Sequence, residues 1–281
     1  NRFYQTASRT YTTSNTHRAI QIVGGNDYAV TGNTIGFAAP NGTGTYTMAG
    51  TVTTNFQGIA LTVGDGRNNI QGNTISGITM STTTGAFTGI SLLGGSADIG
   101  TTTPNTVGSA TGTGAISLTT TSTSGSFLIG VNASGTSVGT VNVANNVVGS
   151  LTAAGSVATN NTNINAIQLT GGLITASNNT IGGTTANSIQ ITTAGASATS
   201  QQVIGLLTQG IVPVIVDRNT VQNLTNAGTG TAHFVRGIQV QATTGGVGSI
   251  PQAGTVSSNT VHDIVGANAN TSVAGGGTGV Q

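Results

Sequence analysis

Acid–base and metal chemistry in this chain of 281 residues would have to run on five aspartates and three histidines: Asp27, Asp65, Asp98, Asp217 and Asp263, with His17, His233 and His262. Glutamate, lysine, cysteine and tryptophan are absent. The missing thiol excludes disulfides, thiolate metal sites and a cysteine nucleophile. Asp27, Asp65 and Asp98 lie six to eight residues before successive asparagines of the repeat set out below, a spacing that would stack them as a carboxylate column on one edge. Aspartate beside glycine or asparagine is also a common turn residue, and turn chemistry is the reading adopted for all three. His233 and the pair His262-Asp263 have no third ligand at metal-binding spacing and read as isolated surface histidines. Asp217-Arg218 reads as an exposed pair. Gly64-Asp65-Gly66-Arg67 lacks the lysine and following helix of a phosphate loop and reads as a turn. Serine and threonine hydroxyls are abundant, but no base stands beside any of them. No catalytic residue, cofactor or metal is assigned.

The elements that would position such groups must be built from an unusual alphabet: 54 Thr, 45 Gly and 27 Asn, with only 4% charged residues against about 25% in ordinary soluble domains. Six arginines spread over the whole length cannot neutralise a phosphate track, so nucleic acid is excluded as a partner. An anionic membrane surface is disfavoured for the same reason. No apolar run of about 18 residues is present for a membrane span, and the N-terminus carries no charged-then-apolar signal pattern. Any targeting segment is therefore expected outside this chain. A net charge of +1, four prolines and 36% hydrophobic residues do not match compositional disorder. They would form a core if they recur with a strict period.

They do recur. A block of the form apolar-x-x-Asn-Thr-Ile/Val stands at Val30–Ile35, Ile70–Ile75, Val216–Val221 and Val256–Val261, with looser copies at Asn105–Val107, Asn146–Val148 and Asn179–Ile181. With Asn1 included, the asparagines fall at 1, 33, 73, 105, 146, 179, 219 and 259, separated by 32, 40, 32, 41, 33, 40 and 40 residues. A second block, a small residue followed by Ile, Val or Leu, stands at Ile20, Ile59, Ile90, Val131, Ile167, Leu206 and Ile238. Alternation in Ile59-Ala60-Leu61 and Ile238-Gln239-Val240 has the period of a half-buried strand. Every second repeat is longer, and the extra length is assigned to Gly/Ser/Thr-rich excursions at 41–45, 117–125 and 192–200. Gly279-Val280-Gln281 resembles the start of one more block, so the chain is expected to be one segment, residues 1–281, of a longer array.

A unit with one Gly-Ile strand, one Asn-Thr-Ile strand and a variable third side cannot bury its apolar residues alone, whereas stacked copies share a continuous core. The predicted fold is all-β, a parallel β-helix or β-solenoid of about seven to eight coils, each advancing about 4.8 Å. Asn33, Asn73, Asn105, Asn146, Asn179, Asn219 and Asn259 are predicted to form an amide ladder, each donating to and accepting from its equivalents above and below. Ile20, Ile59, Ile90, Val131, Ile167, Leu206 and Ile238 are predicted to form a core stack. The third side of the coil has no readable period.

On these residues the chain resembles the right-handed parallel β-helix repeats of secreted bacterial surface proteins. It is especially similar to the Gly/Thr/Asn-rich repeats of very large adhesin-like proteins of the Bacteroidetes that the type IX secretion system exports. The resemblance implies a non-catalytic stalk or filament section, extracellular or on the bacterial cell surface. Its expected partners are flanking repeats of the same longer chain, other copies or surface proteins, and a glycan. Two alternatives are a polysaccharide-binding or polysaccharide-degrading β-helix and an ice-binding solenoid. The first would need carboxylates clustered with cations. The second would need hydroxyls at one fixed place per coil, and runs such as Thr101-Thr102-Thr103 do not recur so. Gly24-Gly25-Asn26-Asp27 resembles a calcium-binding solenoid repeat but occurs once.

Overall fold

The computed structural model describes residues 1–121, 126–136, 138–155, 162–195, 201–210, 213–242 and 254–267. All the assigned elements are strands, and every strand pairing is parallel, to the equivalent strand one coil away. One coil runs through Thr54–Thr62, Asn68–Gln71, Thr74–Ser76 and Ile78–Thr82. Four walls therefore enclose the core: a Gly-Ile wall, a lead-in wall before the asparagine, an Asn-Thr-Ile wall, and a fourth that the sequence had left without a period. Two walls are separate seven-stranded sheets; the other two merge into one sheet because Thr220–Asn226 is continuous and pairs with both Thr180–Ile181 and Ile189–Ile191. The chain is a parallel β-solenoid.

The pairing register sets Ile20 beside Ile59, then Ile90, Val131, Ile167, Leu206 and Ile238. From Ile59 onward these side chains are fully buried, and Ile20, in the first coil, is partly buried. Facing them on the Asn-Thr-Ile wall is the file Ile35, Ile75, Val107, Val148, Ile181 and Val221. The small residue of the Gly-Ile motif is where the two walls touch. A Cβ on Gly89 would lie 2.7 Å from Val107 Cγ1, and one on Gly205 would lie 2.4 Å from Val221 Cγ1.

Three excursions lie at the corner between the Asn-Thr-Ile wall and the fourth wall, where residues 37–45, 109–115 and 183–188 are inserted. The other coils turn this corner with one residue in the left-handed region: Gly77, Ser150, Asn223 and, in the last described coil, Asp263, at φ 64°, 56°, 56° and 55°. The first excursion lies where the sequence placed it. The other two do not: Ile116–Thr120 is a strand paired on both sides, because Ser117 and Thr119 alternate with Ile116 and Leu118 as half-buried strand residues do. Residues 122–125 and 196–200 of those expected excursions, and Gly279-Val280-Gln281, lie outside the described residues.

Candidate functional site

The asparagine ladder is complete. From Asn1 through Asn33, Asn73, Asn105, Asn146, Asn179 and Asn219 to Asn259, each Nδ2 donates to the next Oδ1 at 2.9–3.0 Å. The second Nδ2 hydrogen goes to a lead-in-wall carbonyl of the preceding coil, as from Asn73 to Val30 and from Asn105 to Ile70, both at 2.8 Å. The same Oδ1 also accepts the preceding asparagine's backbone N–H, as Asn105 Oδ1 does from Asn73 at 2.9 Å. Both donors and both lone pairs of an interior amide are thus used. These buried groups hold coils together and have nothing left to offer a substrate.

The residue before the ladder asparagine carries the turn. Gly32, Gly72, Asn145, Asn178, Arg218 and Ser258 all occupy the left-handed region, which glycine and asparagine enter at least cost. Arg218 is held there by ion pairing with Asp217 at 2.6 Å and by Nε donation to Asn178 Oδ1 at 3.1 Å. The pair is open to solvent on the arginine side, while Asp217 is half-buried and accepts from Ser257 Oγ.

The aspartates do not form a column. Asp27 Oδ1 accepts the backbone N–H of Arg67 at 3.0 Å, and Asp98 lies between Asn69 and Asn142 in register. Between Asp27 and Asp217 the only charged residues of the chain are Asp65, Arg67 and Asp98. All three line one surface cleft of about 280 Å³ together with Ser96, Thr140 and Asn142. Asp98 Oδ2 accepts from Arg67 Nε at 2.6 Å and Oδ1 from Asn142 Nδ2 at 2.7 Å, while Asp65 Oδ1 accepts from Thr136 Oγ1 at 2.6 Å. These bonds run from coil to coil, and both oxygens of Asp98 are occupied. The cluster acts as a clip across neighbouring coils.

His262 pairs with Asp263 at 2.6 Å and is exposed, as expected. His233 corrects the sequence reading: it is buried, 1% exposed, and fills the turn behind Gly228, where a Cβ would lie 2.0 Å from its Nδ1. Among the described residues no three His, Asp, Glu or Cys side chains gather around a point that would hold a metal. The threonine of the Asn-Thr-Ile block occupies one register position at Thr34, Thr74, Thr106, Thr180, Thr220 and Thr260, where the first coil has Arg2 and the fifth Val147. Irregular repeat length is absorbed at corners and does not disturb this file, although the excursions rise beside it.

The first coil breaks the apolar rule of the later ones. His17 heads the core file Phe56, Phe87, Leu128, Ile164, Val203 and Val235, and Arg9 heads the file Met48, Met80, Leu118, Ala153 and Ile191. One coil later Tyr46 heads Ile78, Ile116, Leu151, Ile189 and Leu224. Beside them a cleft of about 450 Å³ is lined by Arg2, Tyr4, Gln5, His17, Arg18, Tyr46 and apolar neighbours. The rings of His17 and Tyr11 pack at 4.2 Å between centroids with a 40° tilt, and the hydroxyls of Tyr11 and Tyr46 are 3.2 Å apart. Burial holds the imidazole of His17 below its ordinary pKa and the phenol of Tyr46 well above its own. Sequence reasoning missed this cleft, because only pairing register reveals which residues stand in a core file.

No family model, curated protein or solved structure matches the chain.

Proposed function

We propose that the chain is a non-catalytic structural segment, a stiff β-solenoid serving as a stalk or filament section of an extracellular or bacterial cell-surface protein. One observation carries this reading: the amide ladder runs unbroken from Asn1 to Asn259 and spends every polar group of its interior members on coil-to-coil bonds. The mid-chain charges spend theirs in the same way. At about 4.8 Å per coil, seven ladder steps make a rod section of roughly 34 Å. Parallel coils joined along every wall resist bending and extension, which suits a spacer that holds an adhesive or sorting element away from a surface. Flanking coils of a longer chain are the natural partners of such a section, and type IX export in the Bacteroidetes is the route its resemblance suggests.

Cryo-electron microscopy of the native source material tests the proposal. The expected image is a continuous rod with an axial repeat of about 4.8 Å that extends past both ends of this segment. An isolated particle that turns over polysaccharide through the Asp65–Asp98 cleft would overturn it.

A further inference from the structure

The outer face of the Gly-Ile wall is concave. The pairing register joins Thr88 to Gln57 and Ile90 to Ile59 but passes over Gly89 between them, and it passes over Gly130, Ala166 and Gly205 in the same way. At this residue the wall bends inward to meet the Asn-Thr-Ile wall. In an unbent strand, residues three apart point to opposite faces. Here they converge on the outside: Asn165 Nδ2 donates to Gln168 Oε1 at 2.7 Å, and Arg236 Nη1 to Gln239 Oε1 at 3.0 Å. Stacked coil on coil, these pairs bound a groove that runs along the rod axis, so that neighbouring coils lengthen it and do not cover it.

The groove buries its own floor. Ile129, Ile204 and Leu207 are 8%, 2% and 5% exposed yet lie outside the core cluster. Ser91 and Asn165 are 1% and 2% exposed. Ser91 Oγ, Asn132 Oδ1 and Asn165 Oδ1 are buried there without a hydrogen-bond partner, whereas buried polar atoms in folded proteins are nearly always paired. Ser91 and Asn132 are register neighbours on one bank, and Asn165 stands on the other bank one coil further on. Three successive coils thus aim an unpaired oxygen into one channel. Amide oxygens only accept, so a phosphate or carboxylate has nothing to offer them, and every groove position between Arg18 and Arg236 is uncharged.

We propose that this groove binds a neutral linear polysaccharide laid along the rod. Its hydroxyls donate to Asn132 and Asn165 and exchange hydrogen bonds with Ser91, and the C–H faces of its rings rest on Ile129, Ile204 and Leu207. An extended hexose chain advances by about one ring per coil height of about 4.8 Å, whereas an extended peptide rises only about 3.3 Å per residue and falls out of step with the coils. The inference goes beyond the rod reading, since a stalk with or without a bound glycan keeps the same ladder.

The test is a calorimetric and NMR titration of the 281-residue chain with cellohexaose, mannohexaose, glucose, hexagalacturonate and an uncharged Gly-Ser hexapeptide. The expected result is saturable binding of at least one neutral hexasaccharide, about tenfold or more tighter than glucose, with shifts at Ser91, Asn132 and Asn165. Ser91→Ala and Asn165→Ala should each weaken it about fivefold, whereas Thr106→Ala, on the Asn-Thr-Ile wall, should leave it unchanged. Ser91→Ala removes only an unpaired oxygen and should not lower the thermal midpoint, which keeps the test readable even where Asn165→Ala unfolds the chain. No saturation by either neutral hexasaccharide at about 5 mM, hexagalacturonate binding as tightly, binding of the peptide alone, or affinity indifferent to the groove substitutions would overturn the proposal.

Discussion

The backbone amide of Gly112 donates to Thr185 Oγ1 at 2.8 Å across 73 residues of sequence. The two residues belong to excursions on alternate coils, and the amide of Thr184 donates to the carbonyl of Ala110 beside them at 3.0 Å. The coil between turns the same corner with Ser150 alone, so the excursions meet over its top. These two excursions therefore join coils that are not neighbours. Thr185→Ala removes the acceptor of the Gly112 amide and little else, and should keep the β-solenoid by circular dichroism while lowering stability by about 0.5–1.5 kcal/mol, the worth of one hydrogen bond. An unchanged denaturation midpoint would mean that the excursions merely lie side by side.

The ladder predicts a gradient along the rod. Asn146→Ala would leave unpaired the Asn105 Nδ2 and backbone N–H groups, which both donate to its Oδ1, and the Ile99 carbonyl that its Nδ2 reaches at 2.9 Å. These groups are buried, and a loss of about 1–3 kcal/mol is expected. Asn259, only half-buried, should give less on the same substitution. Equal losses at both positions, measured by urea denaturation, would count against satisfaction of buried groups as the source of the effect.

The clip at Asp98 separates a structural from a catalytic carboxylate. Arg67 keeps 75% of its side chain exposed while Asp98 keeps 9%, so the ion pair is screened and worth at most about 1 kcal/mol. Asp98→Asn should therefore cost little at low salt, and less still as ionic strength rises. Loss of a measurable polysaccharide-cleaving activity in this variant, with the fold intact, would instead place chemistry in the cleft.

Glycine at the wall contact makes a steric prediction. A Cβ on Gly89 would fall 2.5 Å from the backbone carbonyl of Gly130 and 2.7 Å from Val107 Cγ1, so Gly89→Ala should destabilise by about 1–3 kcal/mol through overpacking. The equivalent position two coils on is Ala166, which is fully buried. There the coil accommodates the methyl, and Ala166→Gly should cost about 1 kcal/mol or less. A neutral Gly89→Ala in thermal unfolding would show that the walls slide apart freely.

What was legible in the sequence follows from how each feature is encoded. Asn73 and Ile59 could be read because each occupies a slot with one physical demand, an amide with two donors and two acceptors or a buried β-branched chain, and every coil repeats it. The fourth wall was hidden because Ser117, Thr119 and Thr152 suit loops and half-buried strands equally, and the variable corner before it scrambles spacing. His233 appeared superficial because its burial depends on the turn at Gly228 folding over it. The clip at Asp98 was invisible for a related reason: Arg67 and Asn142 reach it from the coils on either side, and sequence distance says nothing about lateral neighbours.

His17 gives the molecule a pH dependence whose sign is fixed by burial. Its pKa in the folded chain lies below the ordinary 6.5, so in mildly acidic solution the unfolded chain binds a proton that the folded chain refuses. Stability should then fall as pH drops through about 6.5 and level off below the folded-state pKa. Other groups titrate in the same window, so the informative quantity is the difference between wild type and His17→Phe. That substitution extends the stack in which Phe56 and Phe87 lie 5.4 Å apart, removes a buried nitrogen without a partner, and should raise stability by about 1 kcal/mol at neutral pH. The gap between the two proteins should widen toward pH 5, where wild type alone carries the penalty at this position. A gap that narrows with acidification would mean that the folded state welcomes the imidazolium and that the first-coil cleft solvates charge.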